Sequence, residues 1–482
     1  MHPAIIVRIL GFLLMGYSIA LIPPALVSVI YDDRTHYAFI IPFVITFTSG
    51  AALYLFTRNR RDDLRTRDGF IITALFWTVL GLFGSMPFMF ADQPGLSFTD
   101  AVFESLSGLT TTGATILPEI DPLPHSILFY RQLLQWLGGI GIIVIAMAIL
   151  PLLGVGGMQL YRAEAPGPVK DNKLTPRITE TAKALISMYL TLTITCCLAY
   201  WFAGMDFFDA ISHAFSTVAI GGFSTHTDSM GYFNSPAILL VAMFFMVFSG
   251  INFSLHFFAW KARRFHHYVR DAECRFYVFC LLSGIVVTVV HLVTLDTHTL
   301  KNGLLYGSFE VISLVTTTGF GTDDFSTWPL FLPFMLFIGA FMGGCANSTA
   351  GGMKVIRVLL VCKQGLREIQ RLIHPNAIIP IKINNKVVPD RVIDAVWGFF
   401  AVYIFVFILM LMALLATGLD FLTSFSAVGA CINNLGPGLG KVAAHYGDIN
   451  TPAKWILCFA MLLGRLEVFT LLVLFTPMFW RR

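Results

Sequence analysis

The sequence of 482 residues contains very little charge. Only 12% of its residues are Asp, Glu, Lys or Arg, whereas 56% are hydrophobic. With a mean hydropathy of +0.75, too few polar side chains remain to cover a water-soluble protein of this size. The composition therefore excludes a soluble multidomain protein, which the length alone would allow. The net charge of +4 is too small to indicate a nucleic-acid-binding protein.

The sequence also lacks the motifs of common catalytic classes. It contains no glycine-rich phosphate-binding loop, no zinc-binding His/Glu helix and no nucleophile elbow. Its eight cysteines show no metal-ligand spacing and lie mostly in apolar runs, as is typical of small buried residues. We therefore expect neither an enzyme nor an ATP-driven pump, and no organic cofactor bound to this chain.

Long hydrophobic runs, by contrast, are abundant. The first, residues 5–30, is too long for a signal peptide and lacks a small-residue cleavage site, so we interpret it as a membrane helix. Nine further runs are each long enough to cross a hydrocarbon core, which takes roughly 20 helical residues. They cover about 37–57, 70–91, 124–160, 184–204, 236–260, 276–295, 329–361, 391–417 and 452–479. The sequence predicts an all-α polytopic membrane protein with ten crossings.

Basic residues are concentrated on one side of this arrangement. If the N-terminus is cytoplasmic, the inner connections and the C-terminal tail hold 25 of the 32 Lys and Arg residues. Since cytoplasmic connections carry the excess of Lys and Arg, both termini are expected inside the cell.

Four stretches of the sequence align on one glycine each. They are "FTDAVFESLSGLTTTGAT", "FFDAISHAFSTVAIGGFS", "LLYGSFEVISLVTTTGFG" and "FLTSFSAVGACINNLGPG", with Gly113, Gly222, Gly319 and Gly436 at equivalent places. Each lies between two apolar runs on the outer side, and the chain then returns to an apolar helix that begins near Pro124, Pro236, Pro329 or Pro452. The repeated unit is a helix, a half-helix too short to cross, an extended loop and a returning helix. This predicts a two-helix extension at 1–68 and four repeats at 69–165, 166–265, 266–375 and 376–482.

The four loops have one physical solution inside a membrane. Non-helical backbone cannot face lipid and is tolerated only where it lines a cavity or is buried in protein. Four copies around one axis would form a ring whose backbone carbonyls replace the hydration shell of a cation. Glycine permits the backbone conformations that such a loop needs. The C-terminal ends of the half-helices would favour positive charge at the axis.

The third loop, Thr317-Thr318-Gly319-Phe320-Gly321, resembles the Thr-Val-Gly-Tyr-Gly selectivity filter of potassium channels. Nearly the whole chain resembles the Trk/Ktr/HKT superfamily of potassium transporters, and in particular its bacterial TrkH-type subunit. The resemblance is carried by "LTTTGAT", "AIGGFSTH", "TTTGFGT", "NNLGPGLG", "GGCANSTAGGMKVIR" and "GRLEVFTLLVLFTP".

This resemblance implies gated potassium uptake across the bacterial inner membrane. It also implies a homodimer with a pseudo-fourfold ion pathway in each chain, and a cytosolic TrkA-type partner that alone binds NAD or ATP. Glycine at the key position of all four loops goes with a preference for potassium in that family. The potassium-binding filter residues that it implies are Thr111, Thr112, Gly113, Ile220, Gly221, Gly222, Thr317, Thr318, Gly319, Asn434, Leu435 and Gly436.

The loops are not identical, however. Only the first and third contain the paired threonines, whereas the second has Ile220-Gly221 and the fourth has Asn434-Leu435. Side-chain oxygens therefore cannot form a layer of four. We expect fewer well-formed ion sites than in a symmetric channel.

The third returning run contains a polar interruption, "GGCANSTAGG". It begins fourteen residues after Pro329, which at about 1.5 Å per residue is roughly 21 Å into the membrane. A continuous helix packed through small residues is one reading. We favour an intramembrane loop that lines the cavity, because polar residues lie together between two glycine pairs. The resemblance makes this loop the gate, formed by Gly343, Gly344, Cys345, Ala346, Asn347, Ser348, Thr349, Ala350, Gly351 and Gly352.

Arg465 lies at the same depth of the fourth returning run, where the other three copies have Gly138, Gly250 and Gly343. An arginine at mid-membrane depth needs a partner or water. Loop carbonyls are the favoured partners, and the resemblance likewise implies that this arginine holds the gate. Glu467 is the alternative, but residues two apart do not share a helix face.

Four further residues lie close to the loops. His213 and His226 flank the second loop and are interpreted as structural or solvated. Glu104 and Glu310 both lie nine residues before their glycines and are candidates for hydrogen bonds to loop backbone.

The leading hypothesis is a gated potassium pathway. The alternative is a potassium/proton symporter of the same architecture.

Overall fold

The computed structural model describes residues 3–58, 66–144 and 178–481. Regular structure in these parts is helical except for one antiparallel pair of two-residue strands, Lys382–Ile383 and Lys386–Val387. Most of the predicted inner connections at 58–69 and 161–183, and the end of the apolar run 124–160, lie outside the described residues.

The N-terminal extension contains two apolar arms that pack against each other and against the first repeat. The first arm comprises the helices Pro3–Ile19 and Ile22–Ile30, and the second is the helix Tyr37–Thr57. The arms meet so closely that a Cβ on Gly11 would lie 2.7 Å from the carbonyl oxygen of Gly50.

Four repeats follow, each with a lead helix, a half-helix and a return helix. The lead helices are Thr66–Gly84 with Met86–Phe90, Ile178–Phe202, Ala272–Thr294 and Asp390–Leu415. Half-helices 1 to 4 are Phe98–Leu109, Phe207–Ala219, Ser308–Val315 and Phe421–Ile432; the third is preceded by Leu300–Asn302 and a π-helical turn, Gly303–Gly307. Return helices 1 to 4 are His125–Val144, Pro236–Ser249, Leu332–Met342 and Thr451–Arg465.

Shorter elements complete the chain. Return helices 2, 3 and 4 are followed by Phe253–Ala262, by Val355–Ile373 and by Phe469–Leu472 with Val473–Phe475. The helices His266–Arg270 and Pro477–Trp480, and the 3-10 turns Ser229–Phe233, Phe325–Thr327 and Gly440–Val442, lie in connections or at the C-terminal end.

The same backbone hydrogen bond ends every half-helix. The residue before each key glycine donates its N–H to the carbonyl six residues before that glycine. These bonds run from Thr112 to Ser107 (2.8 Å), from Gly221 to Ser216 (2.9 Å), from Thr318 to Ser313 (2.8 Å) and from Leu435 to Ala430 (2.9 Å). The half-helices begin at side-chain caps in three copies, from Ser97, Asp206 and Asp420. The four repeats predicted from the sequence therefore share one local structure.

The described parts of the chain contain fewer straight crossings than the ten that the sequence predicts. Among the described residues, six helices are long and apolar enough to span a membrane, and two bent pairs raise this to eight. The first return segment is described only as far as residue 144, and the third is broken by a loop. The second and fourth return segments bend by 96° and 109°.

The bends have identifiable causes. After return helix 2, the carbonyl of Gly250 accepts the N–H of Cys345 (2.8 Å), and the N–H of Phe253 donates to Asn347 (3.1 Å). Backbone groups that would continue the helix are thus bonded to another segment. After return helix 4, Glu467 and Val468 have φ values of 53° and 59°, a left-handed conformation that a right-handed helix cannot contain.

A ring of four loops and an intramembrane loop

The four glycine loops, numbered 1 to 4 with their half-helices, close into a ring. A Cβ built on Gly113 would lie 2.1 Å from the carbonyl oxygen of Gly221 in loop 2, and one on Gly222 would lie 2.0 Å from that of Thr318 in loop 3. The neighbour of Gly319 is loop 4, at Pro437 (2.8 Å) and Gly436, and a Cβ on Gly436 would lie 2.6 Å from Gly113. Each loop therefore touches the next, and the fourth returns to the first, which is the predicted pseudo-fourfold arrangement.

The loops also share an unusual backbone conformation. The residue two before each key glycine has a positive φ: Thr111 (52°), Ile220 (54°), Thr317 (66°) and Asn434 (52°). Gly113, Gly222 and Gly319 have φ values of 79°, 84° and 82°. A left-handed residue at a β-branched threonine or isoleucine is rare and persists only when surrounding structure holds it. The ring is therefore a constrained structure rather than a set of surface turns.

Threonine hydroxyls in the ring are largely engaged with protein partners. The hydroxyls of Thr110 and Thr112 lie 2.8 Å apart, as do those of Thr316 and Thr318 at 2.7 Å. The hydroxyl of Thr112 also accepts the Asn434 amide at 3.1 Å. These bonds occupy the hydroxyls of Thr112 and Thr318, so any cation in the ring would have to depend mainly on backbone carbonyls.

Loop 2, which lacks the paired threonines, is held from outside its own repeat. The Gln135 amide on return helix 1 donates to the carbonyl of Gly221 (2.7 Å) and accepts from the Ser216 hydroxyl (2.6 Å) and the Phe223 N–H (3.1 Å). The asymmetry expected from the sequence is thus present in the hydrogen bonds. Gln135 was not predicted, although it shares a helix face with Gly138.

Each half-helix carries one polar side chain that holds the chain leaving its loop. Glu104 accepts the Ile116 N–H (3.0 Å), and Glu310 accepts the Thr322 N–H (2.7 Å). His213 occupies the equivalent place in repeat 2 and contacts the Ser224 hydroxyl at 3.0 Å. In repeat 4 the position shifts by one residue, and Ser426 bonds the Leu439 backbone. The expected contact of Glu104 and Glu310 with loop backbone is confirmed.

His226 joins the outer segments of two repeats. Its ring lies between Asp121 (3.0 Å) and Asp209 (3.1 Å) and stacks on Tyr232 with ring centroids 3.5 Å apart. Partial burial alone would lower the pKa of His226, but hydrogen bonds to the two carboxylates outweigh it and raise the pKa above its ordinary value. This histidine therefore has a structural role, as the sequence indicated.

The segment between Met342 and Val355 is a loop and not a continuous helix. Its ends are closed by hydrogen bonds from the Met353 N–H to the Phe341 carbonyl (2.9 Å) and from the Val355 N–H to the Gly344 carbonyl (3.0 Å). The alternative of a helix packed through small residues is therefore wrong. We call residues 343–354 the intramembrane loop.

The intramembrane loop is bonded to three of the four ring loops or their half-helices. The Thr349 hydroxyl donates to the carbonyl of Val218 (2.9 Å) at the end of half-helix 2. The Gly351 N–H donates to the Thr317 hydroxyl (2.7 Å) in loop 3, and the Gly352 N–H to the Asn433 carbonyl (3.0 Å) before loop 4. The loop therefore lies across one side of the ring, against the C-terminal ends of the half-helices.

Arg465 connects this loop to the first repeat. Its guanidinium donates to the carbonyl of Thr349 (3.2 Å) and to that of Gly138 on return helix 1 (3.0 Å). Glu467 instead pairs with Arg357, at 2.5 Å, on the helix that follows the loop. The partners of Arg465 are thus backbone carbonyls, and the Glu467 alternative is wrong.

Two further charged residues support the loop and were not predicted. The buried carboxylate of Glu273 accepts the Ala346 N–H at 2.6 Å. The ammonium group of Lys354 donates to the Ala350 carbonyl. Glu273 is marked by no local motif, because it acts on backbone that only the tertiary fold brings near. The bond of Lys354 spans only four residues within the loop itself.

Comparison with known proteins agrees with this geometry. The family model described as "TrkH: Cation transport protein" matches residues 35–482. The chain is 59% identical over 478 residues to the Trk system potassium uptake protein TrkH of Halomonas elongata, covering 99% of both chains. It is 54% identical over 487 residues to the protein of the same name from Escherichia coli K12, covering 100% of both. The crystal structure of the potassium transporter TrkH from Vibrio parahaemolyticus superimposes with a TM-score of 0.93 at 50% identity, covering 100% of both chains.

Gly113→Ser is expected to destabilise the folded protein. The new Cβ would meet the Gly221 carbonyl at 2.1 Å on a backbone with φ of 79°, and such strain costs about 1–3 kcal/mol. Thermal unfolding of the purified protein in detergent measures the loss. Gly365→Ser is the matched control, because a Cβ on helical Gly365 meets nothing within 4 Å. Equal unfolding temperatures for the two variants would contradict the close approach of loops 1 and 2.

Proposed function

Because the chain belongs to the TrkH family of cation transport proteins, we propose that it carries potassium into the cell across the bacterial inner membrane. The ring of four glycine loops is the selectivity filter of this pathway. The observation that supports it most directly is the closure of four loops on one another, each with a left-handed residue two positions before its glycine. Such loops present backbone carbonyls to a dehydrated cation inside a membrane.

The filter residues are the three that end at each key glycine. Their side chains are buried and mostly bonded to protein, so the carbonyls supply the ligands. The carbonyl of Gly221 already accepts from Gln135, which makes the four sides of the ring unequal. We therefore propose fewer good potassium sites than a fourfold-symmetric filter offers.

A proton-coupled symporter remains the second candidate. A proton relay needs titratable groups that are free to exchange along the pathway. The carboxylates of Glu104 and Glu310 near the filter are instead bonded to loop backbone, and Glu273 is bonded to the intramembrane loop. These contacts favour a gated passive pathway.

Reversal potentials distinguish the two candidates. We expect the reversal potential of the purified protein in lipid bilayers to follow the potassium gradient and to ignore an imposed proton gradient. Gly113→Ser should raise sodium permeability relative to potassium, because its side chain displaces the loop 2 carbonyl. Gly365→Ser serves as the control. A reversal potential that shifts with pH at constant potassium would establish symport instead.

The intramembrane loop is proposed as the gate. It lies directly against the ring, and it is held there by a small number of hydrogen bonds. Arg465 supplies one of them, to the Thr349 carbonyl, and anchors its own guanidinium to Gly138 on return helix 1. Hydrogen bonds to charged groups contribute about 1.5–3 kcal/mol each. A gate held in this way can open without unfolding the surrounding helices.

Arg465→Ala, and deletion of part of the segment 346–350, should raise the open probability while preserving potassium preference. A change of about 1–3 kcal/mol corresponds to a shift of roughly 5–150-fold in the closed-to-open equilibrium. Single-channel recording beside bi-ionic reversal potentials measures both quantities, with Arg391→Ala at an exposed site as the control. Normal opening together with altered selectivity would assign this segment to the filter.

A cytosolic partner and a second copy of the chain complete the proposed system. The helix Val355–Ile373 emerges from the intramembrane loop and carries exposed apolar side chains at Leu366, Ile369 and Ile373. A TrkA-type nucleotide-binding protein that moved this helix would also displace the intramembrane loop, because the loop is continuous with the helix. NAD or ATP would bind that partner, and both termini of this chain would lie in the cytoplasm.

Affinity purification of the tagged chain from its native membrane should recover a TrkA-type protein together with the homodimer. Nucleotide should change potassium flux in liposomes only when that partner is present. Full nucleotide regulation of the purified chain alone would show that the sensor lies in this chain.

A further inference from the structure

A fully buried ion pair lies behind the ring between loops 1 and 2. The Arg131 guanidinium on return helix 1 donates through Nε to Oε1 of Glu104 at 2.9 Å, and both side chains have no solvent exposure. Buried charges are costly unless they are paired and hydrogen-bonded. The remaining N–H groups of this guanidinium therefore also need hydrogen-bond partners inside the protein.

Those donors reach both neighbouring loops. Nη1 donates to the carbonyl of Ser224 (2.9 Å), two residues after Gly222, and Nη2 donates to the Thr115 hydroxyl (3.2 Å), two residues after Gly113. The guanidinium also lies over the Phe223 ring, 4.1 Å from its centroid. A single planar group thus connects the residues that follow Gly113 in loop 1 with those that follow Gly222 in loop 2. Lysine, with a compact ammonium group, cannot reproduce this geometry.

No equivalent arginine is present in the other repeats. Arg131 lies seven residues after Pro124, and the same position holds Met243, Leu336 and Phe459 in the second, third and fourth repeats. Within the described parts of the chain, the hydrogen-bond partners of Glu310, the counterpart of Glu104, are Thr322 and Asp323, both in its own repeat. The charged connection between adjacent loops therefore distinguishes one side of the ring.

That side is where support from the loop itself is weakest. Loop 2 has Ala219 and Gly221 at the positions of the threonines whose hydroxyls pair within loops 1 and 3. Its backbone is held instead by Gln135 and Arg131, which lie one turn apart on return helix 1. The conformation of loop 2 consequently depends on repeat 1.

We propose that Arg131, oriented by Glu104, is a positioning residue for ion selectivity. It sets the spacing between loops 1 and 2, and its pairing with Glu104 keeps a buried positive charge from acting on cations in the filter. This inference rests on the proposed potassium pathway and assigns a determinant of its selectivity outside the filter sequence.

Two substitutions separate the geometric and the electrostatic contributions. Arg131→Lys keeps the charge and removes the planar fork, so the sodium-to-potassium permeability ratio should rise about tenfold, the effect of one lost hydrogen bond to a charged group. Glu104→Gln leaves the positive charge uncompensated, so single-channel potassium conductance should fall several-fold. The double variant Glu104→Gln/Arg131→Gln restores neutrality and should regain conductance without regaining selectivity.

Bi-ionic reversal potentials and single-channel conductance are measured on the purified full chain, so the amount of folded protein does not affect either readout. Permeability ratios and conductances equal to those of the unmodified protein in all variants would reduce the pair to a structural role and overturn the proposal. Should the charge variants not be recovered from membranes, Thr115→Val decides the matter. It removes the hydroxyl that accepts from Arg131 and donates to Glu104, and it keeps both charges. A raised permeability ratio in Thr115→Val supports the proposal, and an unchanged ratio overturns it. If the unmodified protein does not follow the potassium gradient, the proposed function fails independently of these variants.

Discussion

Non-helical backbone inside a membrane must find its hydrogen-bond partners within the protein, and the rest of this structure depends on that constraint. Every half-helix is too short to cross the membrane and is followed by a loop. The same hydrogen bond forms at each junction: the residue before the key glycine donates its N–H to the carbonyl six residues before that glycine. The loops then support one another by direct contact. One polar side chain on each half-helix, such as Glu104 or Ser426, is hydrogen-bonded to the chain that follows the loop.

The same constraint explains the intramembrane loop. Its twelve residues lack a helical ladder, so their backbone groups bond to Asn433 at the end of half-helix 4, to Thr317, to Glu273 and to Arg465. The partners in turn lose their own regular bonds, and return helix 2 bends where Gly250 and Phe253 bond to this loop. A non-helical segment held by a small number of separate hydrogen bonds is suited to switch between two positions.

Fourfold similarity in the backbone is combined with differences in side chains. Loops 1 and 3 are supported by their own threonines, whereas loop 2 is supported by Gln135 and Arg131 from the preceding repeat. Such divergence lets one side of the pathway be tuned separately from the others. A single chain with four unequal repeats can do this, whereas four identical subunits cannot.

The sequence by itself determined the membrane environment, the four repeats, the glycine positions and the polar break at 343–352, because hydropathy and spacing are local properties of the chain. It also indicated that Arg465 needs carbonyl partners, since a charge at that depth has few alternatives. Only the tertiary structure decided the order in which the loops touch, the bends after return helices 2 and 4, and the roles of Gln135, Arg131 and Glu273. Those features rest on contacts between residues that are distant in sequence, such as Arg131 with Ser224 and Arg465 with Gly138, and no local pattern encodes such a meeting.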